Sequence, residues 1–146
     1  MTDKQRVAIV DELGKHIAAI YVTPGTKDFE GAVLEGFVIP GITTLRGRSF
    51  RNAKMYWAMM AGADLSGCNF EGADMRGANL RDAKLVNANL RDADLGLDNL
   101  GGATQLQGAD LTDAILHGAK LAGAEYDDRT RFPDEFVPEQ AGMRAE

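Results

Sequence analysis

The side chains able to do covalent or acid-base chemistry are few in this 146-residue chain: two histidines, His16 and His117, and one cysteine, Cys68. Catalysis needs an acid, base or nucleophile held against a partner group, and these three form no Cys-His pair, no His-x-x-x-His pair and no Gly-rich phosphate loop. The 22 Asp and Glu residues recur at positions set by a repeat, so two carboxylates falling near each other carry no catalytic meaning. The reading is therefore of a protein that is not an enzyme, with no catalytic residues, no cofactor and no metal. A lone cysteine excludes an internal disulfide and fits a reducing compartment.

What remains is recognition chemistry. Tyr56, Trp57 and Met59 stand where the repeat wants polar outward residues, as do Val33 and Val38, and Leu97 falls two layers above Trp57 at the same corner, across Gly77. Grouped exposed aromatics are a binding anchor, unless the N-terminal segment or the C-terminal tail lies across them. Asp98, in LGLDNLGG, takes a position where other repeats have a small inward residue. A buried lone carboxylate is costly, so either it caps turn amides beside an insertion or the backbone bulges it outward, with a structural or a recognition role. The candidate partner-binding set is Tyr56, Trp57, Met59, Leu97 and Asp98.

These residues are positioned by a period of five. From 61 to 95 every fifth residue is large and apolar (Leu65, Phe70, Met75, Leu80, Leu85, Leu90, Leu95), and two places before each is a small one, such as Ala63, Cys68 or Ala73. On an α-helix a step of five turns about 140°, which leaves no single face to bury. On a straight strand an odd step alternates faces. The chain must turn once per repeat, with small-polar-large as a short extended wall and Gly, Asp or Asn rounding the corner.

Repeats of this A(D/N)LxG kind resemble the pentapeptide repeat family. That resemblance implies an all-β solenoid, a right-handed quadrilateral β-helix with four repeats per coil. Extending the register gives central residues from Phe29 to Tyr126, with single-residue insertions between Ile39 and Leu45 and between Leu100 and Leu106, hence about five coils. Stacking every fourth repeat puts Phe29, Phe50 and Phe70 on one wall, Leu100 over Leu80, and Leu106 over Leu85. It also puts Glu30, Arg51, Glu71, Arg91 and Thr112 in one outward column of alternating charge. Cys68 becomes a small inward filler.

The flanks read differently. Residues 2–20 read as an α-helix, with Thr2 and Gln5 in capping-box spacing and Ile9, Leu13, Ile17 and Ile20 along one stripe. This N-terminal helix is a lid over the first ladder edge. Lys27, Phe37 and Arg48 stand in small inward positions near that lid. Beyond Tyr126, Pro133 and Pro138 stop the ladder, Phe132, Phe136 and Val137 fold back over the last coil, and AGMRAE frays. The chain is one domain: a capping helix and turn at 1–24, the solenoid at 25–126, and an irregular closing segment at 127–146.

The net charge of −6 is zero over 1–24, −2 over 25–124 and −4 over 125–146. Direct nucleic-acid binding is not expected, and the lack of an 18-residue apolar run argues against a membrane span. A bacterial, cytoplasmic monomer or weak homodimer that presents a rigid surface to a protein partner is the leading reading. The alternative comes from the resemblance, which includes proteins that mimic DNA, bind topoisomerase (gyrase) and protect it from quinolones or toxins. That alternative needs an acidic stripe and an apolar C-terminal dimerisation helix, neither of which is evident here.

Overall fold

A computed structural model of the chain describes residues 5–10, 16–22, 25, 27–39 and 44–146. The first two segments are strands β1 (Gln5–Val10) and β2 (His16–Val22), paired antiparallel from Gln5↔Val22 to Val10↔His16 with an irregularity between Ile9 and Val10. The helix expected over 2–20 is therefore wrong. The segments QRVAIV and HIAAIYV are rich in Val and Ile, whose stiff χ1 favours extended backbone, and each supplies the other with a hydrogen-bonding edge. Thr2 and Leu13, invoked for that helix, lie outside the described residues.

From residue 27 the chain winds as a four-walled β-solenoid. Its walls are too short for long strands, so the sheets consist of single parallel bridges such as Ser49↔Asn69↔Asn89 and Asp64↔Lys84. Most bridges join residues twenty apart, and Val33↔Lys54 and Val38↔Met59 are offset by one more. The extra residue therefore falls between 39 and 44, as the spacing predicts. Phe29, Phe50 and Phe70 stack on one wall with centroids 4.8 and 5.0 Å apart, and the large central residues from Phe29 to Leu95 are all buried. Four large side chains share each layer because the other inward residues, such as Ala63, Ala78 and Cys68, are tiny and equally buried. The Cys68 thiol donates to Leu45 O at 3.0 Å, and burial pushes its pKa up to about 12.

The second insertion differs from expectation. Bridges change from twenty to twenty-six residues at Asn79↔Gln105, Lys84↔Asp110 and Asn89↔Ile115, so six residues leave the coil instead of one. Leu100 is not a wall residue and is 85% exposed, and Leu106 sits over Leu80. Every later repeat moves one wall along. Asp92 N donates to His117 O, so His117 tops the Glu30 column in place of Thr112, and of that column Arg51 and Glu71 form an ion pair at 3.8 Å.

At the ends, Lys27 is exposed, Phe37 packs against the core, and Arg48 turns its guanidinium over the Phe29 ring (5.1 Å) and toward Asp28 (3.1 Å). Phe132 and Phe136 stack at 5.1 Å beyond Tyr126. The last residues do not fray: β4 (Arg144–Ala145) pairs parallel with β3 (Glu125–Tyr126), and Met143 is buried. Once Phe132 and Phe136 close the top, Met143 finds an apolar seat, and the open β3 edge supplies the partners.

Candidate interaction site

The corner between the second and third walls carries Gly36, Trp57, Gly77, Leu97 and Gly123 in successive coils. Corners of this solenoid need a left-handed backbone. Trp57 adopts it with φ 59°, whereas the other described non-glycine residues with positive φ are aspartates, asparagines and Glu135. Asp and Asn tolerate this region through local hydrogen bonds, but a large side chain there costs about 1–2 kcal/mol. The indole's surroundings must hold it in place.

Those surroundings come from the six-residue excursion. Trp57 Nε1 donates to Asp98 Oδ2 at 2.7 Å, and the Asn99 amide donates to the Tyr56 phenol oxygen at 2.7 Å. The loop thus reaches down from the fourth coil to the second, crossing the third at Gly77. A Cβ on Gly77 would stand 2.6 Å from Trp57 Cδ1 and 3.0 Å from Asp98 Oδ2, so only glycine lets indole and carboxylate meet. Asp98 Oδ1 accepts from the Leu100 and Gly102 amides at 2.8 and 2.7 Å. Of the alternatives open in the sequence, both halves hold: the backbone carries Asp98 outward, and its carboxylate caps turn amides. The Trp57 bond first, then the two amides and the Arg76 charge, keep its pKa below the ordinary value of 3.8 despite some desolvation.

Tyr56 and Trp57 lie against each other, with centroids 4.4 Å apart and planes 53° apart. Arg76, one coil above Tyr56, places its guanidinium 5.2 Å from the phenol ring centre and grips Asp74 through two bonds of 2.9 and 2.7 Å. These bonds chiefly hold the Asp74 pKa down, against desolvation. With Glu35 and Asn99 they bound a cleft of about 260 Å³. Trp57 and Met59 are each 44% exposed, and Val33, Val38 and Leu97 are exposed as well. Met59 bridges Val38 on the third wall, and Leu97 packs under Gly123, where a Cβ would stand 2.6 Å from it.

The structure therefore brings Tyr56, Trp57 and Asp98 into direct contact, with Leu97 on the same corner and Met59 on the adjoining wall. Sequence reasoning missed Arg76, although a cation twenty residues from Tyr56 is a legible sign of stacking. Asn99 and Leu100 carried no such sign, because their reach depends on the length of the excursion. No helix among the described residues is long and apolar enough to cross a membrane.

The family model for pentapeptide repeats matches in eight copies over residues 60–96 and 102–125, and the gap between the two stretches falls on the excursion. The chain is 32% identical to a pentapeptide repeat protein from Nostoc Pcc 7120, covering 84% of this chain and 87% of that one, with a TM-score of 0.43. It is 30% identical to the pentapeptide repeat protein Rfr23 from the cyanobacterium Cyanothece 51142, covering 62% and 64%, with a TM-score of 0.23. To QnrB1, a plasmid-mediated fluoroquinolone resistance protein, it is 18% identical over 82% and 77%, with a TM-score of 0.33. No curated protein matches.

Proposed function

This chain belongs to the pentapeptide repeat family, and we propose that it is a non-enzymatic interaction module that docks a protein partner on the corner around Trp57. The fold of the family, a right-handed β-helical solenoid, makes a rigid rod. The observation that carries the proposal is the run of exposed apolar side chains, Val33, Val38, Trp57, Met59, Leu97 and Leu100, gathered on one corner and its adjoining walls. Scattered single apolar residues are normal on a surface, but a contiguous group with an aromatic centre marks an interface. Tyr56 flanks the indole within its own coil, Asp98 holds it from above, and Met59 and Leu97 extend the patch around and along the rod.

The test is capture of a partner by the parent chain and by Trp57→Asp. Loss of capture with an unchanged circular dichroism spectrum supports the corner as the interface. Equal capture by both proteins rejects it.

The DNA-mimic reading asks for an acidic stripe along the rod. The outward columns here mix both signs, as in Lys54-Asp74-Asp94-Lys120 and Asp64-Lys84-Asp110-Arg131, and opposite charges on one wall cancel the field such a mimic requires. Inhibition or protection of gyrase in a supercoiling assay at several salt concentrations would restore that reading.

A further inference from the structure

We propose that residues 98–102 form a latched strap that sets the orientation of Trp57. The loop is closed on itself: Asp98 N donates to Gly102 O at 2.7 Å, Gly101 N to Asp98 O at 3.1 Å, and Asp98 Oδ1 gathers the Leu100 and Gly102 amides. Among the described residues, its hydrogen bonds to the coils are two, and both go to aromatic side chains of the second coil: Asp98 to Trp57 and Asn99 to Tyr56. The third coil contributes only the bare corner at Gly77.

The physical consequence is a trade between a strained corner and a latch. Trp57 holds a left-handed backbone unsuited to a large side chain, and its position is fixed because the indole N–H is tied to a carboxylate, a strong charge-assisted bond. With its polar edge tied to the strap, the indole presents its apolar face to solvent in one orientation. Asp98 is thus a positioning residue. Its functional meaning rests on the docking proposed above, since a preset aromatic anchor loses less entropy when a partner seats on it. The latch itself does not depend on that docking.

Trp57 is the only tryptophan in the chain, so its fluorescence reports the latch with no partner present. Acrylamide quenching and anisotropy are measured on the full chain for the parent, Asp98→Ala, Asp98→Asn and Tyr56→Phe, with amide exchange at Asn99, Leu100 and Gly102. Losing even one bond to a charged acceptor opens the strap about tenfold more often, and Asp98→Ala removes three. Asp98→Ala therefore raises quenching, lowers anisotropy and speeds exchange at all three amides, while exchange at the ladder amides of Leu80 and Leu85 is unchanged. Asp98→Asn keeps one acceptor oxygen, which can hold the loop amides or the indole but not both, and falls between. Tyr56→Phe removes only the phenol oxygen. It frees the Asn99 amide and loosens the indole to a smaller degree, and it decides the matter if Asp98→Ala disturbs the ladder. Parent-like quenching and anisotropy in both Asp98→Ala and Tyr56→Phe overturn the strap, whatever the capture experiment shows.

Discussion

Thr104 Oγ1 accepts a hydrogen bond from the Gly77 amide at 3.1 Å and stands 3.1 Å from the Gly96 carbonyl. In the coil below, the equivalent amide, Trp57 N, donates directly to Arg76 O. A regular ladder would send Gly77 N to Gly96 O, but at Gly96 the chain is leaving the coil. The hydroxyl enters the gap, receiving from one side and facing two acceptors, Gly96 O and Met75 O, on the other. A small inward position that is Ala in most repeats is Thr here because the half-buried Gly77 amide would otherwise be orphaned.

Replacing Thr104 with Val keeps the shape and removes the acceptor. The variant is expected to lose about 1–3 kcal/mol of stability, the cost of an unsatisfied buried donor, read as a lower urea midpoint. Thr104→Ser keeps the hydroxyl and most of the stability. Equal midpoints for Val and Ser would show that the hydroxyl is not bridging the ladder.

Leu100 and Leu106 separate the two possible registers. With Leu100 exposed and Leu106 buried over Leu80, Leu100→Ser should change stability by no more than about 0.5 kcal/mol. Leu106→Ala should cost about 2–5 kcal/mol. Thermal unfolding of the pair checks this, and a large loss for Leu100→Ser would return that residue to the interior.

Ala78 and Leu80 are both fully buried in one wall segment. Leu80→Ala leaves a cavity, and Ala78→Leu forces extra carbon into a filled layer, at a cost of about 1–3 kcal/mol or more. Both are expected to lower the unfolding temperature. A parent-like Ala78→Leu would mean that position 78 is not inward.

Asp127 fastens the closing segment to the last coils. Its carboxylate accepts from the Gly108 amide at 2.9 Å, from Arg129 at 2.8 and 3.1 Å and from Thr130 Oγ1 at 3.2 Å. Desolvation pushes its pKa up, but these bonds together outweigh that and hold it at about 2, below the ordinary 3.8. A depressed carboxylate pKa contributes stability that is complete above the unfolded value and disappears as pH falls through the folded one. The stability difference between the parent and Asp127→Asn should thus be constant from neutral pH to near 4, shrink below 3.8 and vanish near 2. Chemical denaturation across that range measures it, and a difference that persists at pH 2 would assign it to another cause.

The coils below the excursion were legible because their signal is local and redundant. Each repeat states its own large residue, small residue and corner, so Phe50 over Phe70 and the slot for Cys68 follow from counting. The excursion was not legible for a simple reason: Leu95 and Leu100 are five apart, the same step the repeat uses. Counting therefore accepts Leu100 as a wall residue. The turn closed by Asp98 and the flexible Gly101-Gly102 pair decides otherwise. The N-terminal strands were hidden in a similar way, since Ile9, Ile17 and Ile20 fit a helical stripe as well as they fit two paired strands.

By itself, then, the chain of residues determined the period, the turn at each repeat and the tiny inward fillers, because each depends on neighbours within five residues, while the four walls entered through the family resemblance. Tertiary structure alone decided which aromatic meets which loop. Asp98 reaches Trp57, and Asn99 reaches Tyr56, across 41 and 43 residues of sequence. That meeting depends on how many residues leave the coil before it resumes, and this number is set by the register of whole coils, which no single repeat encodes.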